Sequence, residues 1–293
     1  MLLDQLKTNG VKEYPEGYSI EVEAEFKSTK NLPDFPAFQA KRDGSLIHNG
    51  LEFISRKPKG KNDLLKDLDD LLSSPGFKKD YINTERTSTH VHINVQRWSK
   101  EELLTFLTIY YLVEGLLFNF TGKSRKSNLF CLPLYDAERS TMLFTDLIED
   151  NYKSIIVDFE NYKYSALNIA SIARLGTVEF RHMYGTNDFH KIKDWLTIVD
   201  TLVRSRFRFK NAQEVFDRFI YDRRGFLKDI FGPLLPLVDH KDWWELTDLN
   251  YSSVFKLINL PEELRYKKRK IKKVYKFKTE LEEDDLKFNE YLR

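Results

Sequence analysis

Cysteine is nearly absent: Cys131 is the single thiol in 293 residues. That excludes an internal disulfide framework and fits a reducing compartment. An excess of charge of one sign is lacking too, with 47 Lys and Arg against 45 Asp and Glu, net +2. A chain so balanced has no general pull toward nucleic acid or an anionic membrane. Long apolar runs are missing as well. The opening stretch MLLDQLKTNGVKEYPEG holds no run suited to a signal peptide. The most apolar region, 103–120, is interrupted by Thr105, Thr108, Glu114 and Asn119, which argues against a membrane span. Neither an internal repeat nor a low-complexity linker is found. The expectation is a soluble cytoplasmic protein, with neither membrane nor nucleic acid as a partner.

What is present can fold. Hydrophobic residues make up 41% and aromatics 14%, enough for one large domain or two small ones. Three segments alternate polar and apolar residues, as strands with one wet and one dry face do. YSIEVEAEF (18–26) puts Ser19, Glu21, Glu23 and Glu25 on one face. TSTHVHINVQ (87–96) does the same with His90, His92 and Asn94. TVEFR (177–181) heads a third, with Thr177, Glu179, Arg181 and Met183 opposite Val178, Phe180, His182 and Tyr184. A short strand, LEFIS (51–55), carries Glu52 and follows a turn at Asp43-Gly44-Ser45.

Each segment has a plain reading and a chemical one. Glu179 beside Arg181 suits a cation and the phosphate it neutralises, or a cross-strand ion pair on a solvated sheet. The two histidines read as metal, phosphate or substrate contacts, or as exposed residues of no special role. A row of glutamates on one strand face repels itself unless a cation or basic group compensates, although an edge strand in water tolerates it.

Helices are expected over Asn62–Ser73, with Asn62 as N-cap and Pro75-Gly76 as the stop, and over Ser99–Phe120. The second has a Ser99/Glu102 capping box and Gly122 at its C-terminal end. Asp188 caps another long helix, and Asn211 with Glu214 begins a further one. Lys123, Arg125 and Lys126 form a basic cluster, read as solvated surface or phosphate contact. Past Pro261 the chain turns densely basic and then acidic, which separates a catalytic domain, 1–260, from a charged extension, 261–293.

Taken together, the strands predict an α+β fold. A curved, mainly antiparallel sheet has helices packed on its apolar face and a charged cleft on the other. A glutamate-rich cleft calls for bound Mg²⁺ or Mn²⁺. In order along the chain, IEVEAE, DGSL with LEFIS, THVHIN, and YSALNIA with GTVEFRHMYGT resemble the amidoligases. These are carboxylate–amine ligases related to glutamine synthetase and glutamate–cysteine ligase, many of them phage-encoded. The four blocks span 19–186 and are more specific together than singly. Ser19 stands where the family usually has glycine.

The resemblance implies the glutamine synthetase type of catalytic sheet and ATP-dependent amide formation through an acyl phosphate. It implies carboxylate and amine substrates and the cofactors ATP and Mg²⁺ or Mn²⁺. Metal ligands would be Glu21 and Glu23 (Glu23 and Glu25 in the alternative register), Glu52, Glu179 and His92. Arg181 would stabilise the transferred phosphoryl group, with His92 and His90 near the nucleotide; Asp43 and Asn168 match family blocks without an assigned role. Two other classes stay open: a zinc-dependent hydrolase built on His90-Val91-His92, and a non-catalytic binding or virion protein that kept the fold.

Overall fold

The computed structural model describes residues 13–122, 125, 128, 131–134, 164–248, 250, 251 and 254. The expected extension 261–293, and Lys123 and Lys126 of the basic cluster, lie outside the described residues. The alternating segments become β1 (Tyr18–Phe26), β5 (Ser88–Asn94) and β7 (Thr177–Tyr184). Shorter strands are β2 (Phe38–Arg42), β3 (Leu51–Ser55), β4 (Tyr81–Ile82) and β6 (Leu167–Asn168). Strand order is β2-β3-β1-β5-β7-β6, with β4 paired to the end of β1. All these pairings are antiparallel. To this extent the mixed α and β architecture agrees with the alternation in the sequence.

The dry face is as expected on β1 and β5, where Ile20, Val22, Ala24, Val91 and Ile93 enter one core. Helices α1 (Lys61–Ser73), α3 (Lys100–Thr121) and α5 (Phe189–Ser205) also bury apolar residues in that core. Phe106 of α3 and Trp195 of α5 each place a ring 6.1 Å from the ring of Phe180 on β7. Burying such side chains contributes roughly 1.5–3 kcal/mol each. Helix α3 is long and apolar enough to cross a membrane, but 83% of its apolar window is buried inside the protein. It is the hub of the core.

Caps locate the helices, with three departures from expectation. The Ser99/Glu102 box opens α3, Gly122 (φ 96°) closes it, and Asp188 accepts the His190 and Lys191 N–H groups to start α5. Gly60, not Asn62, precedes α1, without a side-chain cap. Pro75 does not only end α1: it opens α2 (Pro75–Asp80), where its missing N–H costs nothing. Asn211 caps the helix Ala212–Tyr221 by accepting the Glu214 N–H, yet the Glu214 carboxylate takes the Lys210 N–H in place of the reciprocal bond.

Strict alternation also fails in β7 after Arg181. Val91 pairs with Phe180 and Thr89 with Met183, so β7 carries one residue more than β5 between these pairs. Such a bulge changes which face follows. Met183, expected beside Glu179, is buried in the core instead.

Candidate functional site

Register decides which polar side chains meet. Glu23 of β1 lies opposite Glu52 of β3, Glu21 opposite His90 of β5, and His92 opposite Glu179 of β7. Cross-strand neighbours share a face, so residues from four distant stretches form one cluster. Glu23, His90, His92 and Glu179 are buried, and Glu21, Glu52 and Arg181 half-buried. The histidines do not sit on an exposed strand. A groove of about 710 Å³ lined by Tyr14, Lys57, Lys59 and Asp70 contains none of these residues.

Two groups of three donors stand out. Glu21, His92 and Glu179 offer ligand atoms within 4.8 Å of one another, and so do Glu23, Asp43 and Glu52. Asp43, whose role the sequence left open, reaches the second group from the turn before β3. Glu25, the alternative ligand, joins neither. It is fully buried where β1 meets β4, and it accepts the Ile47 N–H at 2.7 Å, which fastens the turn-bearing loop.

Supporting bonds fix the ligand side chains. Asn168 Nδ2 donates to Glu179 Oε2 at 2.8 Å, while its Oδ1 accepts the Ala170 N–H at 3.1 Å. Arg181 Nη1 donates to Glu179 Oε1. Thr177 Oγ1 lies 3.0 Å from His92 Nδ1, which orients the ring. The far nitrogen, Nε2, is 3.2 Å from Glu21 Oε1 yet misdirected, and is buried without a hydrogen bond. An imidazole held by one nitrogen with the other aimed among carboxylates has the form of a metal ligand. Ser88 donates both N–H and hydroxyl to Glu23 Oε2, at 2.8 and 2.6 Å, and its Oγ is 2.7 Å from His90 Nε2. His90 Nδ1 stands between Glu21 Oε2 (3.3 Å) and Glu179 Oε1 (3.2 Å).

Sequence reasoning missed Ser88 and Arg125 as parts of this region. Nothing local distinguishes a serine at a strand start. Arg125 reads as one of three clustered surface cations, yet it is buried and donates to the carbonyls of Arg181 and His182.

Crowding shows in the proton affinities. Burial, and then the charges of Glu21 and Glu23, push Glu52 up to about 8. Burial disfavours a charged His92, but the Glu21 carboxylate outweighs it and raises the imidazole to about 8. Burial would also raise Glu21 and Glu179; the charge of His92 for the first, and of Arg181 for the second, hold both low. The signs agree for Glu52 and His92. A carboxyl raised in the fold costs stability as pH climbs from its ordinary value toward 8. A histidine raised in the fold stabilises fully below 6.5, and that contribution is lost as pH rises through 8. Metal-free protein is therefore expected to melt lower at about pH 8.5 than at about pH 6. Melting in chelator across that range checks this; a divalent cation should reverse the trend by replacing the protons.

A family model described as "Putative amidoligase enzyme" matches residues 23–203. Comparison with curated proteins finds no match. Among solved structures, a bifunctional glutathione synthetase from Pasteurella multocida aligns over 87% of this chain and 49% of its own, with 10% identity and a TM-score of 0.42. The chain thus spans about half the length of that protein.

Proposed function

The chain belongs to the amidoligase family, and from that premise we propose that it is an ATP-dependent ligase joining a carboxylate to an amine through an acyl phosphate. The observation that carries this reading is the pair of three-donor groups on one sheet face, flanked by an arginine tied to one of the ligands. In this reading the antiparallel sheet is a catalytic sheet of the glutamine synthetase type.

Glu21, His92 and Glu179 hold one divalent cation, and Glu23, Asp43 and Glu52 a second. Their donors fit Mg²⁺ or Mn²⁺: five of the six are carboxylates, the hard oxygen ligands these ions prefer. Zinc centres draw mainly on histidine and cysteine, and each group here has at most one histidine. Bound cations neutralise the polyphosphate of ATP and favour charge passing to the leaving group.

Arg181 offers a planar fork to the phosphoryl group in transit, and Glu179, Asn168 and the backbone keep that fork in place. His90 and Ser88 tie the two donor groups together and hold their carboxylates at fixed orientation. In the first step a substrate carboxylate oxygen attacks the γ-phosphorus and the bond to the ADP oxygen breaks. An amine nitrogen next attacks the acyl carbon, gives up a proton and expels inorganic phosphate.

Saturating Mg²⁺ with ATP is expected to raise thermal stability by roughly 2.7 kcal/mol at about a hundredfold excess over Kd. Either component alone should do less, because carboxylates and phosphates repel without the cation. A melting curve unmoved by Mg-ATP would overturn the reading.

A further inference from the structure

We propose that Arg125 is a positioning residue that acts through the bulge in β7 to set where the Arg181 guanidinium stands. Its bearing on phosphoryl transfer rests on the ligase reading above; its hold on the bulge does not.

The extra residue in β7 removes ladder partners from the backbone around Arg181 and His182. Buried carbonyls left without partners cost about 1–3 kcal/mol each, so something must take the place of a strand partner there. Arg125 does: Nη2 donates to the Arg181 carbonyl at 2.7 Å and Nε to the His182 carbonyl at 3.1 Å. One planar guanidinium edge thereby spans two successive carbonyls, which a lysine or an amide cannot copy. The Arg181 N–H is held by the Ala166 carbonyl at 2.8 Å.

Both ends of the bulge are pinned as well. Phe180 pairs with Val91, and the Gly185 N–H bonds the Thr87 carbonyl at 2.7 Å. A Cβ at Gly185 would stand 2.1 Å from Thr87 Oγ1, so the strands can close there only around glycine. Between these fixed points Arg125 decides the path of two peptide units, and Arg181 projects from the first of them.

The cost of the arrangement supports a purpose beyond packing. Arg125 is 3% exposed; besides the two carbonyls it hydrogen-bonds Cys131, and burial lowers its proton affinity more than the Glu23 charge nearby restores it. Burying a guanidinium on two carbonyls and a thiol is expensive. What the guanidinium adds is rigidity across two peptide units directly behind a side chain that must meet a phosphoryl group within a fraction of an ångström.

The test compares Arg125→Lys, Arg125→Gln, Arg181→Lys and the Arg125→Lys/Arg181→Lys double variant with the parent. The probes are Mg-ADP, and Mg-ADP with aluminium fluoride as a mimic of the phosphoryl group in transit. Backbone hydrogen exchange of residues 181–183 is followed without nucleotide. Arg125→Lys should speed exchange at these amides and leave Mg-ADP affinity unchanged. The extra affinity gained from aluminium fluoride should fall about tenfold or more, the scale on which misplaced charged donors act. The double variant should lose no more than Arg181→Lys alone, because one residue works through the other. Full mimic affinity in Arg125→Lys, or additive losses in the double variant, would overturn the positioning role. Should Arg125→Gln not fold, Arg125→Lys, which keeps the charge, decides alone. A parent that binds neither nucleotide probe refutes the ligase reading, and exchange rates still judge the bulge: unchanged rates in Arg125→Lys refute that too.

Discussion

Glu179→Gln is expected to weaken cation-dependent ATP binding by at least about a hundredfold, since even partners one shell removed from a metal are worth ten- to hundredfold. The local geometry makes the isosteric change severe. Glu179 accepts from Asn168 through one oxygen and from Arg181 through the other. Whichever way a glutamine amide is turned, its NH₂ faces one of these donors. The anionic ligand is lost, and a donor meets a donor. Because Glu179 is buried, breaking this pair should also cost about 3–5 kcal/mol of stability. Calorimetric titration with Mg-ATP well below the melting point of the variant separates binding from unfolding. An unchanged Kd in folded Glu179→Gln removes β7 from the site.

Glu114→Ala should cost about 3–5 kcal/mol of stability, with nucleotide affinity retained in the folded fraction. Glu114 is fully buried on α3 and, among the described residues, accepts from Tyr110 Oη at 2.7 Å, the Leu134 N–H at 2.8 Å and Asn250 Nδ2 at 3.3 Å. Alanine would leave these buried donors facing a cavity. Tyr110 Oη is also 3.0 Å from Nε2 of His182, which burial and then the Arg125 charge hold down at about 3, hence neutral. The network therefore braces the back of β7 without touching the acidic cluster. Urea denaturation of the variant gives the cost; a loss under about 1 kcal/mol would show that water or a neighbour replaces the carboxylate.

These two glutamates differ in how legible they were. Glu179 sits in a period-2 pattern beside an arginine, and that pattern alone puts it on a polar face. Glu114 interrupts an apolar helix, which argued against a membrane span but did not reveal the donors it gathers. The capping box of α3 and the Asp188 cap were equally readable, because each is complete within four residues. Asn62 misled for the same reason: a capping residue marks a helix end only when no neighbour is better placed, and here Gly60 precedes α1; Pro75 does stop α1, and it also starts α2.

By itself the sequence determined what is short-ranged: strands of period two, amphipathic helices, most of the caps, and, up to the bulge in β7, which side chains share one strand face. It also carried the family, since four blocks in order say more than any of them alone. Only the tertiary structure decided which faces meet. Strand order and register brought Glu21 to His92 and Glu179, sent Asp43 to Glu23 and Glu52, and left Glu25 to fasten a loop. A single extra residue in β7 moved Met183 into the core and made Arg125 the partner of the Arg181 and His182 carbonyls. Such outcomes depend on pairing between segments tens of residues apart, where burial and backbone satisfaction are settled jointly, and no local pattern encodes them.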